Sequence, residues 1–312
     1  MDTKRIHDKI HYENLYELYK HKFNKRDYDL ILPSDDNAFN FMLNYHDELF
    51  PDNAVVFCGL NSLDKFLEDK LSRLGWITGS VEMYDIGGNL DLILKLHPDV
   101  KQIVVISDKT VSSQKCKRKV QEAAPLMPAS IKFNYLKEDA YMEDILAQLK
   151  VLPQDSVVLL MSFFKDKEGK YYTPEAGGRM ISENSPVPVY SAWDFYLGHG
   201  ITGGLITSSN AQGEMGAKIA LRVLNGEKIS DIPVSREPAN YHMFDYKQMQ
   251  RFGIRISNLP EASMVINKPY SFYSEHKGLI WSVVASIAGL IFIILALATS
   301  IITRKRAEEA LR

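Results

Sequence analysis

Cysteine is nearly absent from this sequence, with Cys58 and Cys116 the only two among 312 residues. A disulfide-stabilised scaffold needs several pairs, so this scarcity excludes that class of protein. We expect each cysteine to be a buried thiol, although a location outside the cytoplasm would permit the two to pair. Hydrophobic residues make up 46% of the chain. It can therefore bury a large core, and its length favours two lobes over one.

Motifs that carry catalytic chemistry are also missing. Glycines in the runs DIGGNL and GHGITGG match neither a phosphate loop nor a dinucleotide fingerprint, and there is no G-x-S-x-G. His7 and His11 have the i, i+4 spacing of metal ligands but no third ligand nearby. Asp35 and Asp36 are adjacent, and neighbouring side chains of an extended chain point apart, which is poor geometry for an acid/base pair. We therefore predict no enzyme, no metal site and no cofactor.

A strong charge of either sign is absent, since the formal net charge is only −2. Basic residues are scattered except near the C-terminus, which argues against a nucleic-acid partner. Residues 279–303 contain no Asp, Glu, Lys, Arg or His. A helix of that length spans about 37 Å, enough to cross the roughly 30 Å hydrocarbon core of a bilayer. The alternative is a buried core helix, but such helices rarely run this long without a charge.

The residues that flank this uncharged stretch indicate its orientation. Arg304, Lys305 and Arg306 follow it directly and mark the cytoplasmic side. Aromatic residues typical of a membrane interface lie at its other end: Tyr270, Phe272, Tyr273 and Trp281. The sequence therefore predicts a single-pass protein of the inner membrane. Its four segments are an extracytoplasmic body 1–268, a juxtamembrane segment 269–278, a transmembrane helix 279–303 and the start of a cytoplasmic helix 304–312.

Apolar strands alternate with amphipathic helices through most of the body. The predicted strands are 28–32, 54–58, 76–81, 103–106, 131–136, 157–161, 187–190 and 205–207. Uninterrupted apolar strands separated by helices are typical of parallel sheets that are covered on both faces. After Gly226 we expect no further strand–helix unit, but a closing segment packed over the sheet edges.

Polar side chains follow these strands. Ligands of open parallel sheets bind at the carboxyl ends of the strands, where helix N-termini also offer N–H groups to anions. Phe163, Phe164 and Trp193 would provide flat apolar walls there. Any single Ser, Asp or Asn at such a point is more often a helix cap than a ligand contact. As a set, these residues predict a recognition cleft rather than a reactive site.

Three runs resemble a known family: YDLILPSDDNAFNFMLNYHDELFPDNAVVFCGLN, ITGSVEMYDIGGNLDLILKLHPDVKQIVVISDKT and PVPVYSAWDFYLGHGITGGLITSSNAQGEMGAKIALRVLNGE. They are similar to the ABC-transporter substrate-binding-like family of the type I periplasmic binding protein fold. FDYKQMQRFGI, LPEASMVINKP and the following apolar stretch resemble the version fused to bacterial sensor proteins, which carry histidine-kinase or related output modules. The resemblance covers 1–269, and RKRAEEALR is similar to a signalling helix that enters a PAS domain.

The resemblance implies a two-lobed α/β fold with parallel sheets, crossed three times by the chain. We place the first lobe at 1–81 plus 204–226 and the second at 82–203. In such domains an export signal, a first strand and a first helix precede the segment that MDTKR resembles. We therefore expect this sequence to be truncated at both ends. The resemblance also implies ligand-binding residues in the cleft: Asp35, Asp36, Asn61, Glu82, Asp108, Thr110, Phe163, Trp193 and Asp194.

The expected function is that of a membrane-anchored sensor domain. A small solute, such as the amino acids that are associated with transport relatives, would close the lobes and relay the change through one transmembrane helix. A homodimer and a cytoplasmic response regulator are the partners that the resemblance implies. The alternative is a membrane-tethered substrate-binding component of an ABC transporter. A membrane-anchored enzyme would need a metal or an activated nucleophile, and the sequence supplies neither.

Overall fold

A computed structural model describes residues 1–3, 5–6, 8–23, 28–270 and 272–310. The chain divides into two compact units, Met1–Asn267 and Lys268–Arg312. His7, one member of the histidine pair considered above, lies outside the described residues. So do the last two residues of the predicted cytoplasmic segment, Leu311 and Arg312.

The first lobe is built on a small parallel sheet. Its helices are α1 (Lys9–Phe23), α2 (Asp35–Leu49) and α3 (Lys65–Leu74), and its strands are β1 (Leu30–Ile31), β2 (Ala54–Leu60) and β3 (Ile77–Val81). The strand order is β1-β2-β3, with Val55 opposite Ile77. β2 is apolar because it is the central strand: Val55, Val56 and Phe57 are all fully buried.

The second lobe contains most of the sheet structure. Its elements are α4 (Ile86–Leu96), β4 (Gln102–Ile106), α5 (Val111–Ala123), β5 (Lys132–Tyr135), α6 (Met142–Lys150), β6 (Ser156–Leu160), α7 (Pro174–Glu183), β7 (Val189–Tyr190) and β8 (Gly203–Thr207). Successive side chains of a strand face opposite sides. On β4, Ile103 and Val105 therefore join one hydrophobic cluster, and Val104 and Ile106 join another. Both faces of this sheet are buried, which confirms the predicted doubly covered parallel architecture.

Helix α8 (Ser209–Leu224) returns to the first lobe, where it packs against β2. Val56, Ile219 and Ala220 share a buried cluster there. The lobe boundary predicted at Gly204 is wrong by a few residues. Strand β8 pairs with β7 on one side and with a later strand on the other, so residues 204–207 belong to the second lobe and the chain crosses at Ser208.

The chain after Gly226 also differs from the prediction. It forms β9 (Asn240–Asp245), α9 (Tyr246–Arg251) and β10 (Met264–Ile266), which is a further strand–helix–strand unit. The seven-stranded order is β10-β9-β8-β7-β6-β4-β5, in which the β8–β9 pair is antiparallel. β10 is an edge strand with Met264 46% exposed. Its apolar run is only three residues long, which is shorter than the runs that predict a strand.

The second unit consists of α10 (Phe272–Glu275) and α11 (Lys277–Ala310). Helix α11 contains the whole uncharged stretch and is long and apolar enough to cross a membrane. Its apolar side chains are exposed; Leu290 and Ile294, for example, are 60% and 63% accessible. Exposed apolar side chains on every face of a helix are typical of a segment that faces lipid.

Candidate ligand-binding site

Within the described residues of the first unit, three connections join the two lobes, and two of them run side by side. The first leaves β3 at Glu82, whose N–H donates to the Leu60 carbonyl at 2.8 Å. Alongside it, the Val81 N–H donates to the Ser235 carbonyl at 2.9 Å. Further on, Asn240 Nδ2 donates to the Met83 carbonyl at 2.6 Å. The last two of these bonds hold the paired connections together at the root of the cleft.

A cavity of about 280 Å³ lies where strand ends of both lobes meet. Its first-lobe wall includes Ser34, Asp35, Cys58 and Asn61, and Glu82 lies at the crossing. The second-lobe wall and helix α8 complete it with Ser112, Cys116, Ser162, Phe164, Trp193, Phe195, Ser209 and Gln212. The cavity therefore occupies the place where ligands of parallel sheets bind.

Four of the nine predicted site residues line this cavity: Asp35, Asn61, Glu82 and Trp193. Asp36 lies directly behind Asn61. Its carboxylate accepts hydrogen bonds from Asn61 Nδ2 at 2.7 Å and from the Asn61 N–H at 3.3 Å. Asp36 therefore orients the Asn61 amide at the cavity wall.

Asp108 and Thr110 lie beside the cavity in a buried hydrogen-bonded turn. Asp108 is 0% exposed, and Thr110 caps the N-terminus of α5. One carboxylate oxygen of Asp108 accepts from the N–H and the hydroxyl of Thr110, at 2.8 and 2.5 Å. The other accepts from the N–H groups of Phe164 and Lys165, at 2.5 and 3.1 Å. Asp108 thus fixes the backbone that presents Phe164 to the cavity.

Phe163 and Asp194 also lie outside the lining. Phe163 is 1% exposed and packs in the core beside Tyr172, with ring centroids 6.2 Å apart. Asp194 accepts from the Ser209 N–H at 2.5 Å and from the Ser209 hydroxyl at 2.6 Å. This carboxylate therefore ties the second lobe to the start of α8, a stabilising place for an anion.

An aromatic wall occupies the second-lobe side of the cavity. Trp193 and Phe195 are stacked, with centroids 6.1 Å apart and rings inclined by 15°. Phe164 adds a third ring, 6.3 Å from Phe195. The Trp193 indole N–H donates to Glu82 at 2.7 Å, which joins this wall to the crossing segment. These rings can cover the flat or aliphatic part of a small solute.

Glu82 is the most perturbed acid of the cavity. Burial raises its pKa to about 7, and the nearby carboxylates of Asp35, Asp36 and Asp194 act in the same direction. The hydrogen bond from Trp193 opposes this shift because it favours the ionised form. Glu82 therefore carries a proton in a large fraction of molecules near neutral pH.

Both cysteines are buried free thiols, as predicted, but their position at the cavity wall was not. Burial raises the pKa of Cys116 to about 11 and also raises that of Cys58, so both stay protonated and unreactive. The sequence reasoning also missed Phe195 and Gln212. Phe195 lies in a short 3₁₀ helix and Gln212 one turn into α8, so neither directly follows a strand.

Comparison with known proteins gives a family. The family model described as ABC transporter substrate binding protein matches residues 18–264. A search of the curated proteins finds no match.

Solved structures with the same fold include the ABC domain from Streptococcus pneumoniae in complex with L-Trp. It is 20% identical, has a TM-score of 0.59, and the alignment covers 82% of this chain and 86% of that one. The ligand-free, open structure of CD0873 from Clostridium difficile, a substrate binding protein with adhesive properties, is 16% identical with a TM-score of 0.61, covering 83% and 84%. A conserved domain protein from Vibrio cholerae is 15% identical with a TM-score of 0.59, covering 81% and 83%.

Proposed function

The chain belongs to the ABC transporter substrate-binding protein family, and on that premise we propose that its two-lobed unit binds an amino acid with an apolar side chain. One observation carries the proposal: a single cavity combines the carboxylates Asp35 and Glu82 with the rings of Phe164, Trp193 and Phe195. Among the described residues that line it, none is Lys or Arg. The charged side chains of the wall therefore favour an ammonium group, and the rings favour an apolar body.

The ligand carboxylate would be held by backbone groups. Helix α5 begins at the cavity, and Ser112 lines it from the first turn, whereas the start of α8 already binds the Asp194 carboxylate. Unpaired N–H groups and the positive end of the helix dipole stabilise an anion at such a point. A zwitterion therefore matches both kinds of group in the wall.

The test is a binding screen on the full chain in detergent micelles. Thermal shift followed by titration calorimetry would be run on the twenty common amino acids. L-Trp is the first probe, because the Streptococcus pneumoniae structure of the same fold contains it. An apolar or aromatic amino acid should bind with a single saturable isotherm. Saturable binding of other solutes with no amino acid bound would overturn the proposed ligand class.

Substitution of Trp193 tests the aromatic wall. Trp193→Ala should weaken amino-acid binding at least about 30-fold, because a stacked, buried ring in a binding site contributes on the order of 2 kcal/mol or more. Trp193→Phe keeps a ring but loses the N–H donated to Glu82, so its loss should be smaller. Trp281→Ala, in the other unit, is the matched control and should leave the affinity unchanged. Equal losses for Trp193→Ala and Trp281→Ala would contradict the assignment.

We further propose that this unit is the extracytoplasmic input of a signalling protein. A ligand-binding unit continues into one apolar helix, and the basic residues Arg304, Lys305 and Arg306 follow the uncharged stretch. Lobe closure would shift α11 within a homodimer, and a cytoplasmic output module would act on a response regulator. The free energy for this comes from tighter ligand binding to the closed state.

Cysteine cross-linking tests the relay. Single cysteines placed along α11 should form cross-linked dimers whose pattern changes when ligand is added. An unchanged pattern in a protein that binds ligand would favour the alternative, a tethered substrate-binding component that delivers solute to a permease.

Membrane orientation has its own test. We expect a reporter fused after Arg312 to lie in the cytoplasm. Replacing Arg304, Lys305 and Arg306 with Gln should reduce the fraction of molecules in that orientation, because positive residues are retained on the cytoplasmic side. Protease protection of the reporter measures this fraction. Full protection of the binding unit in intact spheroplasts, instead of the reporter, would reverse the proposed topology.

A further inference from the structure

Two polar side chains of the cavity wall have unsatisfied atoms. Gln212 Oε1 and Ser162 Oγ are buried and make no hydrogen bond within the part of the chain that the structure describes. The two residues are 6% and 5% exposed. By contrast, two other polar side chains of the wall are engaged: Asn61 donates to Asp36, and Ser209 donates to Asp194. Buried polar atoms without partners are costly in a folded protein, so a ligand that donates hydrogen bonds to them gains binding free energy.

The backbone around both side chains is fixed by hydrogen bonds. The Ser113 hydroxyl donates to the Ser162 carbonyl at 2.5 Å. Shortly after Ser162, the N–H groups of Phe164 and Lys165 donate to the Asp108 carboxylate. The Gln212 N–H donates to the Ser208 carbonyl at 3.0 Å in the first turn of α8. The unsatisfied atoms are therefore built into the wall rather than left by a disordered loop.

The two residues belong to different lobes. Ser162 follows β6 in the second lobe, whereas Gln212 lies on α8, which packs against β2 in the first. A ligand that satisfies both atoms must therefore touch both lobes. Such a ligand stabilises the closed arrangement more than the open one.

The chemistry of the pair favours a ligand rich in N–H donors. A glutamine Oε1 accepts hydrogen bonds only, and a serine hydroxyl can accept or donate. The acidic side chains of the wall, Asp35 and Glu82, also accept hydrogen bonds when they are ionised. A primary ammonium has three donors and can supply several of these acceptors together.

Resting on the proposed function, we propose that Gln212 and Ser162 are specificity-determining residues that bind the ligand's amino nitrogen, one from each lobe. The site then selects primary amines against N-methylated ones. A trimethylated amino nitrogen has the same charge but no N–H donor, so it leaves both side chains unsatisfied.

The experiment compares L-Trp, or the tightest-binding amino acid of the screen, with its N,N,N-trimethyl derivative by calorimetry on the full chain. Wild type should prefer the primary amine by at least about tenfold. Gln212→Met should weaken binding of the primary amine about tenfold or more and reduce the preference to within about threefold. Gln148→Met, an exposed glutamine on α6, is the matched control and should leave both affinities unchanged.

Several outcomes would decide the matter. If Gln212→Met binds as wild type does, or weakens both ligands equally, the role of Gln212 is overturned and the proposed function stands. If Gln212→Met fails to fold by circular dichroism, Ser162→Ala must show the same loss of preference, and an unchanged preference there overturns the proposal. If wild type binds no amino acid, the proposed function fails, and this inference fails with it.

Discussion

Amino-acid binding should be about tenfold tighter at pH 8 than at pH 6, and Glu82→Gln should remove this dependence. Burial first, and then the carboxylates of Asp35, Asp36 and Asp194, raise the pKa of Glu82 to about 7. Glu82 is therefore mostly protonated at pH 6 and mostly ionised at pH 8. An ammonium group pairs with the ionised form, so binding below pH 7 must first release a proton.

Calorimetry in two buffers measures that proton directly. At pH 6, phosphate and Bis-Tris should give different apparent enthalpies, which correspond to nearly one proton released per ligand. At pH 8, phosphate and Tris should give almost the same enthalpy. Glu82→Gln should bind about as weakly as wild type at pH 6 and about tenfold more weakly than wild type at pH 8. Glu214→Gln, on the exposed face of α8, is the control and should keep the wild-type profile. A flat profile in wild type would refute the assignment of Glu82.

The same residue should make the ligand-free protein less stable as pH rises. Folding raises the pKa of Glu82 from an ordinary 4.5 to about 7. Between these values the native state binds more protons than the unfolded state, so the free energy of unfolding falls with increasing pH. This decrease in the free energy of unfolding can reach about 3 kcal/mol at most, and it should be complete slightly above pH 7. Urea unfolding of wild type against Glu82→Gln isolates this contribution, because every other titrating group is shared.

The strands that could be predicted are those whose burial alone accounts for their sequence pattern. β4 and β6 read as apolar runs because central parallel strands are buried on both faces. β10 could not be recognised, because its apolar run of three residues is too short to distinguish an edge strand from a loop. The chain crossing at Ser208 could not be predicted either. Its position depends on the pairing of β8 with β9, a strand more than 30 residues later in the sequence.

For the candidate site, topology predicted the place but not the orientation of each side chain. Strand ends lead to the cavity, as expected for parallel sheets. Phe164 lines the cavity whereas the adjacent Phe163 packs in the core, and Asp35 lines it whereas Asp36 lies behind. These choices follow from local backbone geometry, such as the left-handed φ of 75° at Asp35, which a residue pattern does not encode. Ligand contact by the nine predicted residues stays a prediction.

Asp108→Ala should be the most destabilising single substitution around the cavity, lowering the free energy of unfolding by about 4 kcal/mol. The carboxylate is 0% exposed and accepts four hydrogen bonds, two from Thr110 and one each from Phe164 and Lys165. Removing it leaves buried N–H groups without partners, which costs more than the bonds alone are worth. Asp108→Asn should cost about half as much, because an amide keeps one acceptor oxygen but turns a donor towards two N–H groups. Thermal and urea unfolding of the full chain in detergent measure both.

The control for this prediction is Asp139→Ala. Asp139 forms an exposed ion pair with Lys109 at 2.8 Å, and exposed pairs contribute little, so stability should hardly change. Ligand binding separates two roles for Asp108. If Asp108 only positions Phe164, the ligand affinity of Asp108→Ala should fall together with its stability. Asp108→Asn should then recover most of the binding at low temperature, where the fold is intact. If Asp108 contacts the ligand directly, the ligand affinity should fall even in a fully folded Asp108→Asn protein. Full folding with abolished binding would therefore move Asp108 from the supporting turn into the binding site itself.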